Sequence, residues 1–211
     1  MELRRAIKPY QAHPISHQVL LTLLKDYKRP NDKIHELLKK GELISLKKGL
    51  YVWSGEEEIY PEPFAIANSL YGPSYVSAES ALSFHGPIPE HVYTITSMSL
   101  KPAKTLANKL GEFAYKKIPT PYYAFGVDYR ELRENQFTLI ASPEKALCDK
   151  IITTPGVLFR SLSDVQTYLI HDLRIEEEQI KELNSKVIRS WLTEAPKKNS
   201  LKFLIKLIIS L

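Results

Sequence analysis

Apolar residues recur at helical spacing near the start of the chain and then give way to a short alternating pattern. Leu20, Leu23, Leu24 and Tyr27 fall at i, i+3, i+4 and i+7 behind Ser16, which is suited to cap a helix with one buried face. Arg29 and Pro30 interrupt this run, and the spacing then predicts a helix over residues 31–40 that Asn31 or Asp32 caps. Ile34, Leu37 and Leu38 form its buried stripe, and Gly41 stands where a left-handed residue ends a helix. Its outward face carries Asp32, Glu36 and Lys39, flanked by Lys33, His35 and Lys40. Two β-prone runs follow at residues 43–46 and 50–53, separated by Lys47, Lys48 and Gly49, so a hairpin with two lysines at its tip is expected.

Further along, residues 54–62 (SGEEEIYPE) change the composition and mark a linker between an N-terminal domain, 1–54, and a second domain, 63–211. Pro63 opens a helix that ends near Tyr71 and Gly72. Ser77 is placed to cap another over residues 78–84, with Ala81, Leu82 and Phe84 facing inward and His85-Gly86-Pro87 as the stop. Residues 91–98, 112–118, 125–129 and 137–141 read as strands. Ser142-Pro143-Glu144 starts a helix whose inner side holds Ala146, Leu147 and Ile151, with Cys148 as a small buried apolar group. From residue 162 the pattern is helical: Ser163 caps a segment with Val165, Tyr168 and Leu169, and Leu201, Leu204, Ile205 and Ile208 make a last stripe. Such a stripe, like the neighbouring Trp191, is expected to pack within the chain. The fold class is therefore α+β, with a mixed sheet packed on helices and a helical C-terminal part. Residues 2–8 are either a helical turn or a basic arm ended by Pro9 and Pro14.

Charge sharpens this picture more than bulk composition does. The 211 residues are 44% hydrophobic and 25% charged, an ordinary globular range, with a net charge of +5. Residues 1–54 hold eleven Lys and Arg against five Asp and Glu, whereas the other 157 hold eighteen against nineteen. All of the basic excess lies in the N-terminal quarter, which directs that quarter toward a polyanion. One cysteine excludes an internal disulfide. The charged first ten residues lack the apolar stretch of a signal peptide, and the apolar tail at 201–211 is too short for a bilayer and carries Lys202 and Lys206, so a cytoplasmic protein with no membrane contact is expected.

Three segments resemble the AbiEi-type antitoxins of bacterial type IV toxin-antitoxin systems, also described as AbiEi-like transcriptional regulators of abortive infection: KKGELISLKKGLYVW at 39–53, YVSAESALSFHG at 75–86, and FTLIASPEKALCDKI at 137–151. The resemblance implies an N-terminal winged helix-turn-helix that binds operator DNA upstream of its own operon. It also implies a following domain that neutralises a nucleotidyltransferase-like toxin, with or without direct contact. A two-fold dimer on an inverted repeat follows by analogy. A winged helix-turn-helix needs one more helix than residues 16–40 provide, so either residues 2–8 supply it or the DNA-reading unit is abbreviated. On this basis Asn31, Lys33 and His35 are expected at base edges, and Arg29, Lys39, Lys40, Lys47 and Lys48 at phosphates.

Other chemistries are represented weakly. Asp128, Glu144, Lys145, Asp149 and Lys150 are the residue types of a metal-dependent nuclease, although Glu in the first turn of a helix is expected from the helix dipole alone. His13 and His17 are four apart, but Pro14 intervenes and further zinc ligands are not suitably spaced. His85 lacks a neighbouring nucleophile and suits a helix-terminal hydrogen bond to a carbonyl. No phosphate-binding glycine loop occurs, so no cofactor and no enzymatic activity are expected. A protein-interaction module without DNA binding is the remaining alternative.

Overall fold

The computed structural model describes residues 2–54, 60–88 and 93–211. Much of the expected linker and the start of the strand expected at 91–98 lie outside the described residues. The chain forms two apolar cores, and a β-hairpin stands between them.

The smaller core is built from α1 (Glu2–Ile7), β1 (Ile15–Ser16), α2 (His17–Leu23), α3 (Pro30–Lys39), β2 (Leu43–Lys47) and β3 (Leu50–Trp53). Residues 2–7 are thus helical, the first of the two alternatives open in the sequence. Ile7, Leu20, Leu24, Ile34 and Leu37 close over Ile15, Leu43 and Trp53; burying each such side chain contributes about 1.5–3 kcal/mol. The strands lie in the order β1-β3-β2, all antiparallel, with Ile15 opposite Tyr51 and Leu43 opposite Trp53.

Local chemistry explains the ends of these elements. Ser16 caps α2 by accepting from the Val19 N–H at 3.3 Å. Because α2 stops at Leu23, the helical register does not reach Tyr27, which is 41% exposed rather than buried. Neither Asn31 nor Asp32 caps α3. Pro30 is its first residue, where a missing N–H costs no intrahelical bond, and Arg29 precedes it without a side-chain cap. At the other end Gly41 adopts φ +73°, so that Gly41 N–H reaches the Leu38 carbonyl and Glu42 N–H the Leu37 carbonyl. Gly49, at φ +80°, turns the hairpin, and Lys47 belongs to β2 rather than to the turn.

The period-2 alternation of β3 decides the rest of the architecture. Tyr51 and Trp53 face the small core, while Leu50 and Val52 point the other way and, with Leu46, join the large core. That core fills a six-stranded mixed sheet ordered β6-β7-β5-β4-β9-β8 and the helices around it. Its strands are β4 (Ser74–Val76), β5 (Thr94–Ser99), β6 (Lys104–Asn108), β7 (Gly111–Lys117), β8 (Val127–Arg133) and β9 (Gln136–Ala141). The helices are α4 (Pro63–Leu70), α5 (Ala78–His85), α6 (Thr120–Tyr123), α7 (Pro143–Thr153), α8 (Leu162–Thr167), α9 (Glu177–Lys181), α10 (Ser185–Trp191) and α11 (Lys198–Ser210). Trp191 and the α11 stripe at Leu201, Leu204, Ile205 and Ile208 are buried within the chain. Two expectations fail here: Phe84 is 48% exposed, and α8 is capped by Ser161, in a reciprocal box with Asp164, rather than by Ser163. No described helix is long and apolar enough to cross a membrane.

Candidate nucleic-acid interface

Helix α3 buries Ile34 and Leu37, which fixes what its other side shows. Asn31, His35 and Lys39 are exposed there, and among the described residues their side chains make no hydrogen bond or ion pair. Lys33 and Lys40 are held differently. Both ammonium groups reach Glu36, at 3.0 and 2.6 Å, and these hydrogen bonds, Lys40 first, keep the Glu36 carboxyl below the usual range while raising Lys40. Arg29 lies 3.6 Å from Asp32. Of the four cations expected on or beside this helix, Arg29, Lys33, Lys39 and Lys40, Lys39 alone therefore has no carboxylate partner among the described residues. The exposed pairs of Lys40 and Arg29 contribute little to stability.

The two hairpin lysines part company. Lys48 is exposed at the turn with no partner among the described residues. Lys47 turns back, donating from its ammonium group to the carbonyl of Leu70 at the end of α4. Burial first, and then the nearby Lys101 and Lys104, depress its pKa. Lys47 thus ties the hairpin to the end of α4 while its residue stays exposed. Lys25 and Lys28, which the apolar periodicity does not single out, are exposed in the turn that leads to α3.

The nuclease-type residues are not gathered into one site. Asp128 is on β8 beside Arg130, at 3.4 Å. Glu144 accepts from Ser142 and from the Asn184 N–H. Lys150 pairs with Glu79 at the edge of a cleft of about 370 Å³ that Asp172, Thr94 and Thr96 also line. Among the described residues no group of three His, Cys, Asp or Glu is assembled as a metal ion would require.

Lys145 and Asp149 are wholly buried together. Asp149 Oδ2 accepts from Tyr75 and Ser77 at 2.8 and 2.7 Å, so Ser77 spends its hydroxyl there instead of capping α5. Burial pushes the Asp149 carboxyl up and the Lys145 ammonium down; their mutual attraction works against both shifts. Cys148 is buried and its thiol is raised by the same burial, as befits a packing residue. His85 bonds the Ala141 carbonyl at 2.9 Å, the helix-terminal role expected of it, and His17 packs 6.2 Å from the Tyr51 ring.

No protein-family model and no curated protein sequence matches this chain. Its fold is similar to that in the crystal structure of the RV2827C protein from Mycobacterium tuberculosis. The TM-score is 0.64 over 99% of this chain and 75% of that one, at 15% sequence identity.

Proposed function

We propose that this chain is a DNA-binding regulator of the AbiEi-like kind. In this account residues 2–53 act as a winged helix-turn-helix, and the larger region counteracts a nucleotidyltransferase-like toxin. The observation that carries the DNA-binding half is the order helix, strand, helix, helix, strand, strand, closed by β1 pairing with β3. The third of its helices, α3, offers Asn31, His35 and Lys39 to solvent. An α-helix about 10–12 Å across fits a B-DNA major groove about 12 Å wide. Asn31 and His35 would then meet base edges, while Lys39, Lys48 and the turn lysines Lys25 and Lys28 hold phosphates.

The antitoxin half rests on the resemblance of the segments at 75–86 and 137–151. These two segments interlock through β4, β9, α5 and α7, and Tyr75, Ser77, Lys145 and Asp149 are buried within them. Those four residues act on any partner through the fold and not by touching it.

The test is a mobility shift with the full chain on the DNA immediately upstream of its own coding sequence, with and without Mg²⁺. A shift that disappears with rising salt and no nicking is expected. No shift at low salt would remove the regulator, and metal-dependent nicking would replace it with the nuclease. Co-expression with a downstream nucleotidyltransferase-like protein is expected to relieve that protein's toxicity.

A further inference from the structure

We propose that the duplex contacted by α3 and the hairpin continues onto the larger region, where Lys101 and Lys104 hold its phosphates next to those held by Lys48. This extension rests on the DNA binding proposed above.

The hairpin is fixed to the larger region at several points. Leu46 and Val52 lie in the large core, the Asn108 amide reaches the Leu46 carbonyl at 3.5 Å, and the Lys47 ammonium is bonded to the Leu70 carbonyl. A ligand seated on the hairpin tip is thereby held in register with whatever flanks Leu70.

What flanks it is positive. Lys101 and Lys104 lie over the Tyr71 ring with their ammonium groups 5.2 and 5.7 Å from its centroid, and hence within about 11 Å of each other. The Tyr71 hydroxyl donates to the Pro102 carbonyl at 3.2 Å, which fixes the ring beneath them. Lys47 stands close enough for both to lower its proton affinity. No ion pair among the described residues neutralises Lys47, Lys48, Lys101 or Lys104, and all four residues are exposed. Lys47, Lys101 and Lys104 stand close enough to repel one another, and the Debye length, roughly 10 Å at 0.1 M salt, does not screen such neighbours fully. Together they suit a ligand that brings several negative charges at regular spacing. Each strand of DNA supplies one phosphate per 3.4 Å of helix axis, so a separation of up to about 11 Å spans neighbouring phosphates of a strand. Lys47, next to Lys48 on the hairpin, is the neighbour of both Lys101 and Lys104, which favours the same duplex over a separate acidic protein. Because Lys101 and Lys104 lie far from Lys47 and Lys48 in sequence and in a segment with no charge run, only the folded hairpin brings them together.

The test is anisotropy of the full-length protein on a random-sequence duplex of about 30 base pairs, three helical turns, titrated across KCl concentrations. Lys101→Gln/Lys104→Gln is expected to flatten the dependence of log K on log salt by about 1–2 units, at about 0.9 for each phosphate no longer neutralised. Lys101→Arg/Lys104→Arg is expected to keep the wild-type slope, which separates charge from packing. Lys202→Gln/Lys206→Gln on α11 should leave the slope unchanged. If Lys48→Gln flattens the slope and the Lys101/Lys104 glutamine variant does not, the hairpin's own role stands and its extension is overturned. If the wild type shows no salt-dependent binding, the DNA-binding function and the extension fall together.

Discussion

Lys145 and Asp149, one turn apart on α7, form an ion pair at 3.1 Å with neither side chain exposed to solvent. The pair is embedded rather than isolated. Asp149 also accepts from Tyr75 and Ser77, and Lys145 donates to the Tyr122 carbonyl at 2.9 Å while lying 3.1 Å from the centroid of that residue's ring. Hydrogen bonds from the end of β4 and the start of α5 thus converge on one turn of α7. Asp149→Ala would leave the Lys145 charge buried without its carboxylate, and breaking such a pair costs about 3–5 kcal/mol. Urea unfolding of that variant should show the destabilisation, with Lys145→Met/Asp149→Leu recovering part of it. A cost below about 1 kcal/mol for Asp149→Ala would mean that the pair does not hold the two segments together.

Glu79 contributes to the acid limb of stability. Burial raises its pKa, but the hydrogen bond from Lys150 and the attraction of that ammonium lower it further, so the net shift is downward. A carboxyl whose folded pKa is depressed stabilises the fold above its unfolded value, about 4.3, and that contribution disappears as pH falls through the folded value. Glu79→Gln should therefore lower stability at pH 6 and flatten its decline as pH falls below about 4.3. An unchanged acid limb would show that Lys150 does not hold Glu79 in solution.

Glu36 restrains the proposed interface, since it occupies the ammonium groups of Lys33 and Lys40 on α3. Glu36→Gln should tighten duplex binding and steepen its salt dependence by up to about 0.9 units, the increment of one further neutralised phosphate. Weaker binding by this variant would place the Glu36 side of α3 away from DNA, or make its fixed lysine geometry a requirement.

The helices and the hairpin were legible because their signals are local. Ser16 and Ser142 cap, Pro63 and Pro143 open helices, and Gly41 and Gly49 supply positive φ at the turns. β4 and β6 were not legible. β4 is a three-residue run buried on both sides, with no alternation to read, and β6 is an exposed edge strand. Long-range pairing hides the surroundings of single residues in the same way. The bond from Lys47 to the Leu70 carbonyl, 23 residues away, cannot be read from the hairpin alone, and Lys145 and Asp149 look like surface charges until Tyr75, Ser77 and Tyr122 enclose them.

The most direct measurement compares binding to the chain's own upstream DNA with binding to a random duplex, for the wild type and for Asn31→Ala/His35→Ala. If α3 reads bases, the wild type prefers its own DNA. The double variant should then forfeit most of that preference, at about 1–3 kcal/mol per base recognised, while keeping its salt slope. Equal affinity of the wild type for both duplexes, or an unchanged preference in the variant, would contradict base recognition by α3.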